Sequence, residues 1–164
     1  MYKRQPKSLR EINLALAEYY GDVLPDAVDK GTAKKRASTD VCKDLQYYPT
    51  PKDAADRLVL HWENIIRGKS VLEPSCGDGR LMDAARDSGA ASVFGIEVDA
   101  GRAEAARRKG FPVLTANFLE VPPEPKFDVV LMNPPFFRKT YMQHVLHAFK
   151  FLKPGGVLRS ILPF

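Results

Sequence analysis

The sequence predicts an α/β fold in which a doubly wound parallel sheet carries helices on both faces. First, short apolar runs alternate with helical patterns through most of the chain. Second, 164 residues with 45% hydrophobic and 27% charged content suffice for one domain with a real core. Third, several apolar runs end in glycine or polar residues, as strands do beside a ligand site. Right-handed crossovers between such strands produce the doubly wound arrangement.

The elements follow in a regular order. Five strands are predicted, in the segments KSVLEP, ASVFGIEV, FPVLTA, FDVVLM and VLRSILP. The helices between them are predicted in GRLMDAARDSG, AGRAEAARRKG and YMQHVLHAFKFL, and the turn KPGG precedes the last strand. Ahead of the first strand, Thr50 is predicted to cap a helix that begins at Pro51. Its apolar stripe is Ala54, Leu58, Val59 and Trp62.

Composition excludes some classes of protein. No apolar run approaches the ~20 residues of a membrane helix, and the N-terminus has no apolar signal region. Cys42 and Cys76 are too few for a disulfide framework, which favours a reducing cytoplasm. The net charge of +5 is compatible with a polyanionic partner without demonstrating one.

The stretch VLEPSCGDGRL places a glycine turn between a strand and a helix. The strand ends at Glu73, Gly77 and Gly79 form the turn, and the helix begins near Arg80. Glycines let the backbone approach a ligand closely, and a helix N-terminus offers free N–H groups. The pattern is neither G-x-G-x-x-G nor a phosphate loop, and Glu73 suits a cation better than a phosphate. The alternative is a plain strand-to-helix turn.

Two further strand ends carry polar residues. Glu97 ends the second strand about 20 residues beyond the glycine turn, where a carboxylate accepts hydrogen bonds from ribose. The alternative is a surface carboxylate, and Asp99 is predicted to be a helix N-cap. Asn117 and Phe118 follow the third strand and could frame an adenine ring, unless Phe118 is a core residue.

The fourth strand ends in Asn133, Pro134, Pro135 and Phe136. Two prolines make the loop rigid and cannot continue a strand ladder. An amide oxygen and a proline carbonyl aimed at one point accept two hydrogen bonds from an –NH2 group, and Phe136 can stack on a planar ring. These four residues therefore predict a clamp for a planar amine; the alternative is a structural Pro-Pro turn.

The histidines give no comparable signal. His144 and His147 lie three apart on one predicted helix, but no third ligand is nearby in the sequence. No metal site is predicted, and no Ser/His/Asp set is evident.

These motifs resemble those of class I S-adenosyl-L-methionine-dependent methyltransferases that act on amino groups. The resemblance runs from about Gln46 to Phe164. It rests on Asn-Pro-Pro-Phe, on Glu-Pro-x-x-Gly-x-Gly, and on Glu97. The segment YYPTP is similar to the cofactor-contacting segment of N6-adenine DNA methyltransferases, and the motif order is that of their gamma class.

The resemblance implies S-adenosyl-L-methionine as cofactor and assigns roles to individual residues. Thr50 and Pro51 would contact its methionine end, and Asn117 stands where the family usually has Asp, so we expect altered affinity. The implied catalytic residues are Asn133, Pro134, Pro135 and Phe136. The implied cofactor-binding residues are Tyr48, Thr50, Pro51, Glu73, Pro74, Ser75, Cys76, Gly77, Asp78, Gly79, Glu97, Val98, Asn117 and Phe118.

The leading hypothesis is methyl transfer to N6 of adenine in DNA. An RNA base or a glutamine side chain of a protein would keep the clamp and change the substrate. Glutamine-modifying relatives more often end the motif in Tyr, whereas guanine-modifying RNA enzymes can also show Asn-Pro-Pro-Phe. A non-catalytic cofactor-binding module is the remaining alternative, and an intact Asn133 argues against it. The oligomeric state cannot be predicted.

Three segments are expected. Residues 1–5 correspond to the translated end of a transposon-type adapter and are expected to be an artefact. Residues 6–45 form a helical and loop extension, with a helix over 8–20. Residues 46–164 form a partial methyltransferase catalytic domain that lacks the C-terminal hairpin, so we expect a fragment that aggregates or binds cofactor weakly.

Overall fold

The computed structural model describes residues 49–136 and 139–163, which build a parallel sheet. Its strands are β1 (Ser70–Glu73), β2 (Ser92–Glu97), β3 (Val113–Thr115), β4 (Phe127–Met132) and β5 (Leu152–Ser160). They lie in the order β3-β2-β1-β4-β5, and every pairing is parallel. The order reverses at β1 and β4, so the predicted doubly wound sheet is confirmed, and its switch point lies where these two strands end.

Within residues 49–136 and 139–163, five helices connect or flank these strands. They are α1 (Lys52–Val59), α2 (Glu63–Ile66), α3 (Arg80–Asp87), α4 (Ala100–Arg108) and α5 (Thr140–Ala148), with short 3-10 turns at Phe118–Glu120 and Phe149–Phe151. Both faces of the sheet are covered, because successive strand residues enter different apolar clusters. Val71 packs in one cluster and Leu72 in the other, and Val129 and Val130 alternate in the same way.

The helix starts confirm one predicted cap and contradict another. Asp99 caps α4, since its Oδ1 accepts from the backbone N–H of Arg102 at 2.9 Å. The prediction that Thr50 caps a helix beginning at Pro51 is wrong. The helix begins at Lys52, no side chain caps it, and the Thr50 hydroxyl instead accepts from Asn133. The Thr50 hydroxyl thus bonds a side chain 83 residues away and does not cap the helix that follows it.

The first predicted apolar stripe is partly wrong. Ala55, not Ala54, is the buried alanine of α1, beside Leu58 and Val59. The helix ends at Val59, so Trp62 lies beyond it and packs against the core from the following turn.

The end of the sheet also differs from the prediction. The predicted turn 153–156 lies within β5, where Phe127 pairs with Leu152 and Val129 pairs with Val157. The extra residues form an irregularity in one continuous strand, and Gly155 adopts a φ of 80° there.

Several predictions fall outside the described residues. These are the segments 1–5 and 6–45, the helix at 8–20, and the roles of Cys42 and Tyr48. In the part of the chain that the structure describes, no helix is both long and apolar enough to cross a bilayer.

Candidate active site

A cleft of about 220 Å³ opens at the carboxyl ends of the strands, beside the switch point. All four predicted catalytic residues line it, together with many of the predicted cofactor residues. Among the described residues, the cleft is lined by Thr50, Pro74, Ser75, Cys76, Gly77, Asp78, Arg80, Glu97, Val98, Arg102, Ala116, Asn117, Phe118, Leu119, Asn133, Pro134, Pro135, Phe136, Thr140 and His144. Pro51, Glu73 and Gly79 do not line this wall, and Tyr48 lies outside the described residues.

The glycine turn is held by its own backbone and by β2. The N–H of Cys76 donates to the carbonyl of Ile96 at 3.0 Å, and the N–H of Gly79 donates to the carbonyl of Cys76 at 2.8 Å. Gly77 and Gly79 have φ values of 54° and 85°, which side-chain-bearing residues rarely adopt. The turn therefore needs its glycines for their backbone conformation as well as for ligand approach.

Glu97 connects this turn to α4. Its Oε2 accepts from the N–H of Gly77 at 2.8 Å. Its Oε1 accepts from the N–H of Asp99 at 2.9 Å and from the Arg102 guanidinium at 2.8 and 3.1 Å. The side chain is only 5% exposed, so the alternative of a plain surface carboxylate is wrong. Oε2 still has acceptor capacity for a hydroxyl in the cleft.

Arg102 was missed by the sequence analysis. It lies five residues after Glu97, on the first turn of α4, and that spacing is the only signal that could have indicated the pair. Its guanidinium lines the cleft and compensates the buried Glu97 carboxylate.

Glu73 lies beneath the cleft wall and is 2% exposed. Burial raises the pKa of this carboxyl group well above its usual range, and the charge of Glu97 raises it further. One oxygen, Oε1, has no hydrogen-bond partner among the described residues. Glu73 does not line the cleft directly, and its predicted preference for a cation over a phosphate stays a prediction.

Cys76 is also buried, although it borders the cleft. Its side chain is buried, and burial together with Glu73 and Glu97 raises the pKa of the thiol far above its usual range. The thiol packs against Gly95 of β2 and is a space-filling group at the base of the turn.

The amide of Asn133 is fixed at one end. Its Nδ2 donates to Oγ1 of Thr50 at 3.0 Å, and its Oδ1 is buried without a partner among the described residues. The loop beyond it is tied to α5, because the Thr140 hydroxyl donates to the carbonyl of Pro135 at 3.0 Å. An unpartnered acceptor in a rigid loop on a cleft wall is what the amine clamp requires.

An aromatic pair lies at the end of the same loop. The rings of Phe136 and Tyr141 meet edge to face, with centroids 6.2 Å apart and an interplanar angle of 80°. Phe136 lines the cleft and is half-buried. Tyr141, which the sequence analysis did not single out, holds this ring from the side.

The two predicted adenine-binding residues after β3, Asn117 and Phe118, already make contacts within the protein. Asn117 accepts from the N–H of Leu119 at 3.2 Å and donates to Glu120 at 3.0 Å, so its amide caps the 3-10 turn. Phe118 is 3% exposed and packs against His147 and Phe151, with centroids 4.8 and 5.2 Å away. It is a core residue, as the alternative held, whose ring also reaches the cleft wall.

His144 lines the cleft and was considered in the sequence only as half of a metal pair. Its Nδ1 lies 3.0 Å from the carbonyl of Thr140, so Nδ1 carries the proton and Nε2 is the acceptor in the neutral ring. Burial lowers its pKa and favours that neutral form. His147 instead bonds the carbonyl of Val121 through Nε2, and no metal-binding group of three or more His, Cys, Asp or Glu occurs in the described ranges.

The residues present fit S-adenosyl-L-methionine. Glu97 offers an acceptor for hydroxyl groups, and the neighbouring wall of Val98, Phe118 and Leu119 is apolar enough for a flat base. Asn133 lines the same cleft, and its buried Oδ1 has no partner among the described residues, which fits a site for an amine beside the cofactor.

Comparison with known sequences gives a consistent result. The family model described as "Methyltransferase domain" matches residues 71–156. Ribosomal protein L11 methyltransferases from Burkholderia vietnamiensis (strain G4 / LMG 22486) and Burkholderia orbicola (strain MC0-3) are each 32% identical over 91 residues, which is 52% of this chain and 30% of the relative. The chain thus spans about a third of the length of the curated relatives it matches.

Solved structures share the fold. A candidate RNA methyltransferase from Pyrococcus horikoshii matches with a TM-score of 0.62 and 29% identity, over 72% of this chain and 63% of that one. An RNA methyltransferase from Salinibacter ruber, solved with S-adenosyl-L-homocysteine, matches with a TM-score of 0.57 and 22% identity, over 69% and 76% of the two chains. Since the family model covers more than half of the chain, this protein belongs to the methyltransferase domain family, the class I S-adenosyl-L-methionine-dependent methyltransferases.

Proposed function

We propose that the protein transfers a methyl group to a planar amino group, with N6 of adenine in DNA as the first candidate. The observation that carries this proposal is the buried, unpartnered Oδ1 of Asn133 on the wall of the cofactor cleft. A buried acceptor without a donor costs about 1–3 kcal/mol, and binding of an –NH2 group would offset that cost.

On the cofactor side, Glu97 and the glycine turn do the binding. Glu97 is already oriented by Gly77 and Arg102, so it can accept a ribose hydroxyl without reorganising. Bound S-adenosyl-L-methionine supplies an electrophilic methyl group. The chain's own task is then to hold the accepting amine in line with it.

On the amine side, Asn133 and Pro134 supply two acceptors. Oδ1 of Asn133 and the carbonyl of Pro134 would each take one N–H of the amine, which directs its lone pair toward the cofactor. Phe136, held by Tyr141, would stack on the ring that carries the amine. Such alignment can contribute up to about 7–11 kcal/mol to lowering the barrier.

DNA is the first candidate substrate because YYPTP resembles the segment of N6-adenine DNA methyltransferases and because Thr50 of this segment contacts Asn133. An adenine in a duplex would have to leave the stack to reach the clamp. RNA is the second candidate, since the relative from Pyrococcus horikoshii carries that description at 29% identity. Protein is the third, because the curated relatives act on ribosomal protein L11 by name.

The test is a parallel transfer assay. Because the sequence predicts aggregation or weak cofactor binding, the protein is first shown to be soluble by gel filtration, and it is then incubated with methyl-labelled S-adenosyl-L-methionine and with DNA, RNA or cell protein. Asn133→Ala is compared with Asn64→Ala, which changes an exposed asparagine on α2. We expect N6-methyladenine in DNA, an approximately 100-fold loss in Asn133→Ala, and no loss in Asn64→Ala.

The other outcomes discriminate between the hypotheses. Label in RNA or protein, again lost in Asn133→Ala, would keep the clamp and replace the substrate. Tight binding of the cofactor with no transfer to any of the three would overturn the proposal and favour a binding module of the same fold.

A further inference from the structure

The amide of Asn133 is held from one side only among the described residues. Nδ2 donates to Oγ1 of Thr50, whereas Oδ1 is buried and has no partner there. An asparagine amide carries two donors at one end and an acceptor oxygen at the other. In this arrangement the bond to Thr50 occupies one donor of Nδ2, and the acceptor end has no partner among the described residues.

The orientation of this amide matters chemically. An –NH2 group needs an acceptor, and an amide turned by 180° would present donors to it instead. The next two residues cannot hold the amide in place, because both are prolines and lack a backbone N–H. Asparagine side chains are often fixed by a backbone N–H two residues further on, but Pro135 occupies that position and has no N–H. A partner from elsewhere in the fold is needed.

Thr50 meets this need from 83 residues away in the sequence. Its own backbone is fixed, since its carbonyl accepts from Nη1 of Arg80 at 3.2 Å. Arg80 is the first residue of α3, directly after the glycine turn. Thr50 thus joins the cofactor turn to the clamp.

We propose that Thr50 is a positioning residue for the transfer reaction, whose hydroxyl bonds Nδ2 of Asn133 and so fixes the place of this amide on the cleft wall. The inference goes beyond the proposed function by naming what orients its key acceptor. It rests on that function for the identity of the amine, although the hydrogen bond can be tested without any substrate.

The first experiment measures this hydrogen bond directly. In the ¹⁵N-labelled 164-residue chain, the side-chain amide protons of Asn133 are assigned by their loss in Asn133→Asp. We expect one Nδ2 proton to exchange slowly with solvent. Thr50→Val, which removes the hydroxyl and keeps the shape, should raise its exchange rate about 3- to 10-fold, and Thr50→Ser should restore it. The Asn117 amide, bonded to Glu120, is the internal reference.

The second experiment uses whichever polymer accepts label. Thr50→Val should lower kcat about 10- to 100-fold, change kcat more than KM for S-adenosyl-L-methionine, and be rescued by Thr50→Ser. Unchanged exchange in Thr50→Val, an unprotected amide in the unmodified chain, or failure of Thr50→Ser to restore kcat would overturn the positioning role. An absence of transfer by the unmodified chain would overturn the proposed function and leave the exchange result standing.

Discussion

Two buried oxygens without partners, one on Glu73 and one on Asn133, lie at or beneath the same cleft. Stability alone would disfavour both, because each leaves an acceptor unsatisfied in the described part of the chain. They differ in character. Asn133 lines the cleft and its buried oxygen belongs to a neutral amide, whereas burial raises the pKa of Glu73 and disfavours its charged form. The first oxygen therefore belongs to a residue of the cleft wall, and the second belongs to a residue that does not line the cleft.

Glu73→Gln tests the second case. Because burial raises the pKa of Glu73 in the folded state above its unfolded value, the stability it contributes is fully present below about pH 4.3. That stability is lost as the pH rises through the folded pKa. We expect the glutamine variant to lose this decline, so that its free energy of unfolding exceeds that of the unmodified chain at pH 8 and approaches it at pH 4.

Urea unfolding at both pH values measures the difference, with a size of about 1.4 kcal/mol for each unit of pKa shift. Glu63→Gln, at an exposed position on α2, is the matched control, and its free energy of unfolding should differ from that of the unmodified chain by the same amount at both pH values. Equal pH profiles for Glu73→Gln and the unmodified chain would mean that Glu73 is ionised in the fold.

Sequence analysis identified single residues where the strand end itself was the signal. Asn133 and Glu97 each follow an apolar run, and their place at a strand tip predicted that they would line one cleft. Thr50, Arg102 and His144 were missed or assigned other roles. Their partners are set by the packing of distant elements, and a local pattern such as a helix cap is outcompeted when a distant donor is available.

At the scale of elements, β2 packs closely against the glycine turn, whose residues Cys76 and Gly77 line the cleft. Gly95 lies on β2 opposite Cys76, and a Cβ at this glycine would lie 2.7 Å from Sγ of Cys76 and 2.9 Å from Sδ of Met82. The turn can approach the strand this closely only because the strand has no side chain there.

Gly95→Ala should therefore destabilise the fold by about 1–3 kcal/mol through overpacking. Cys76→Ala removes the nearest atom, so the double variant should lose less stability than the sum of the two single variants. Chemical unfolding of all four proteins gives this coupling directly. If the losses in free energy of unfolding were strictly additive, the alanine side chain at position 95 would not clash with Cys76.

The alternation of strands and helices was predictable because each element is long enough to show its own apolar period. The irregular stretch of β5 was not. Residues 153–156 read as a turn in isolation, and they stay within the strand because β4 supplies partners on both sides, at Phe127 and Val129. The pairing with β4 on both sides cannot be recognised from residues 153–156 alone.

Across the whole molecule, the two ends of the sheet have different tasks. The carboxyl ends of the strands carry the cleft. At the amino ends, the Asp128 carboxylate accepts from the N–H and hydroxyl of Ser70 at 2.9 and 2.7 Å and from Lys153 at 3.0 Å. The Ser70 hydrogen bonds and Lys153 hold the pKa of Asp128 well below its usual range. This cluster joins β1, β4 and β5 far from the cofactor residues.

The two ends should therefore respond independently to mutation. Asp128→Asn should lower the free energy of unfolding by about 1–2 kcal/mol at neutral pH, a modest loss because the side chain is 29% exposed, and leave the Kd for S-adenosyl-L-homocysteine within 2-fold. Glu97→Gln should weaken that Kd at least 10-fold, since it disturbs the acceptor that Gly77 and Arg102 orient. Calorimetric titration and urea unfolding of both variants measure the two effects. If Asp128→Asn weakened the Kd for S-adenosyl-L-homocysteine as much as Glu97→Gln does, the amino end of the sheet would also shape the cleft.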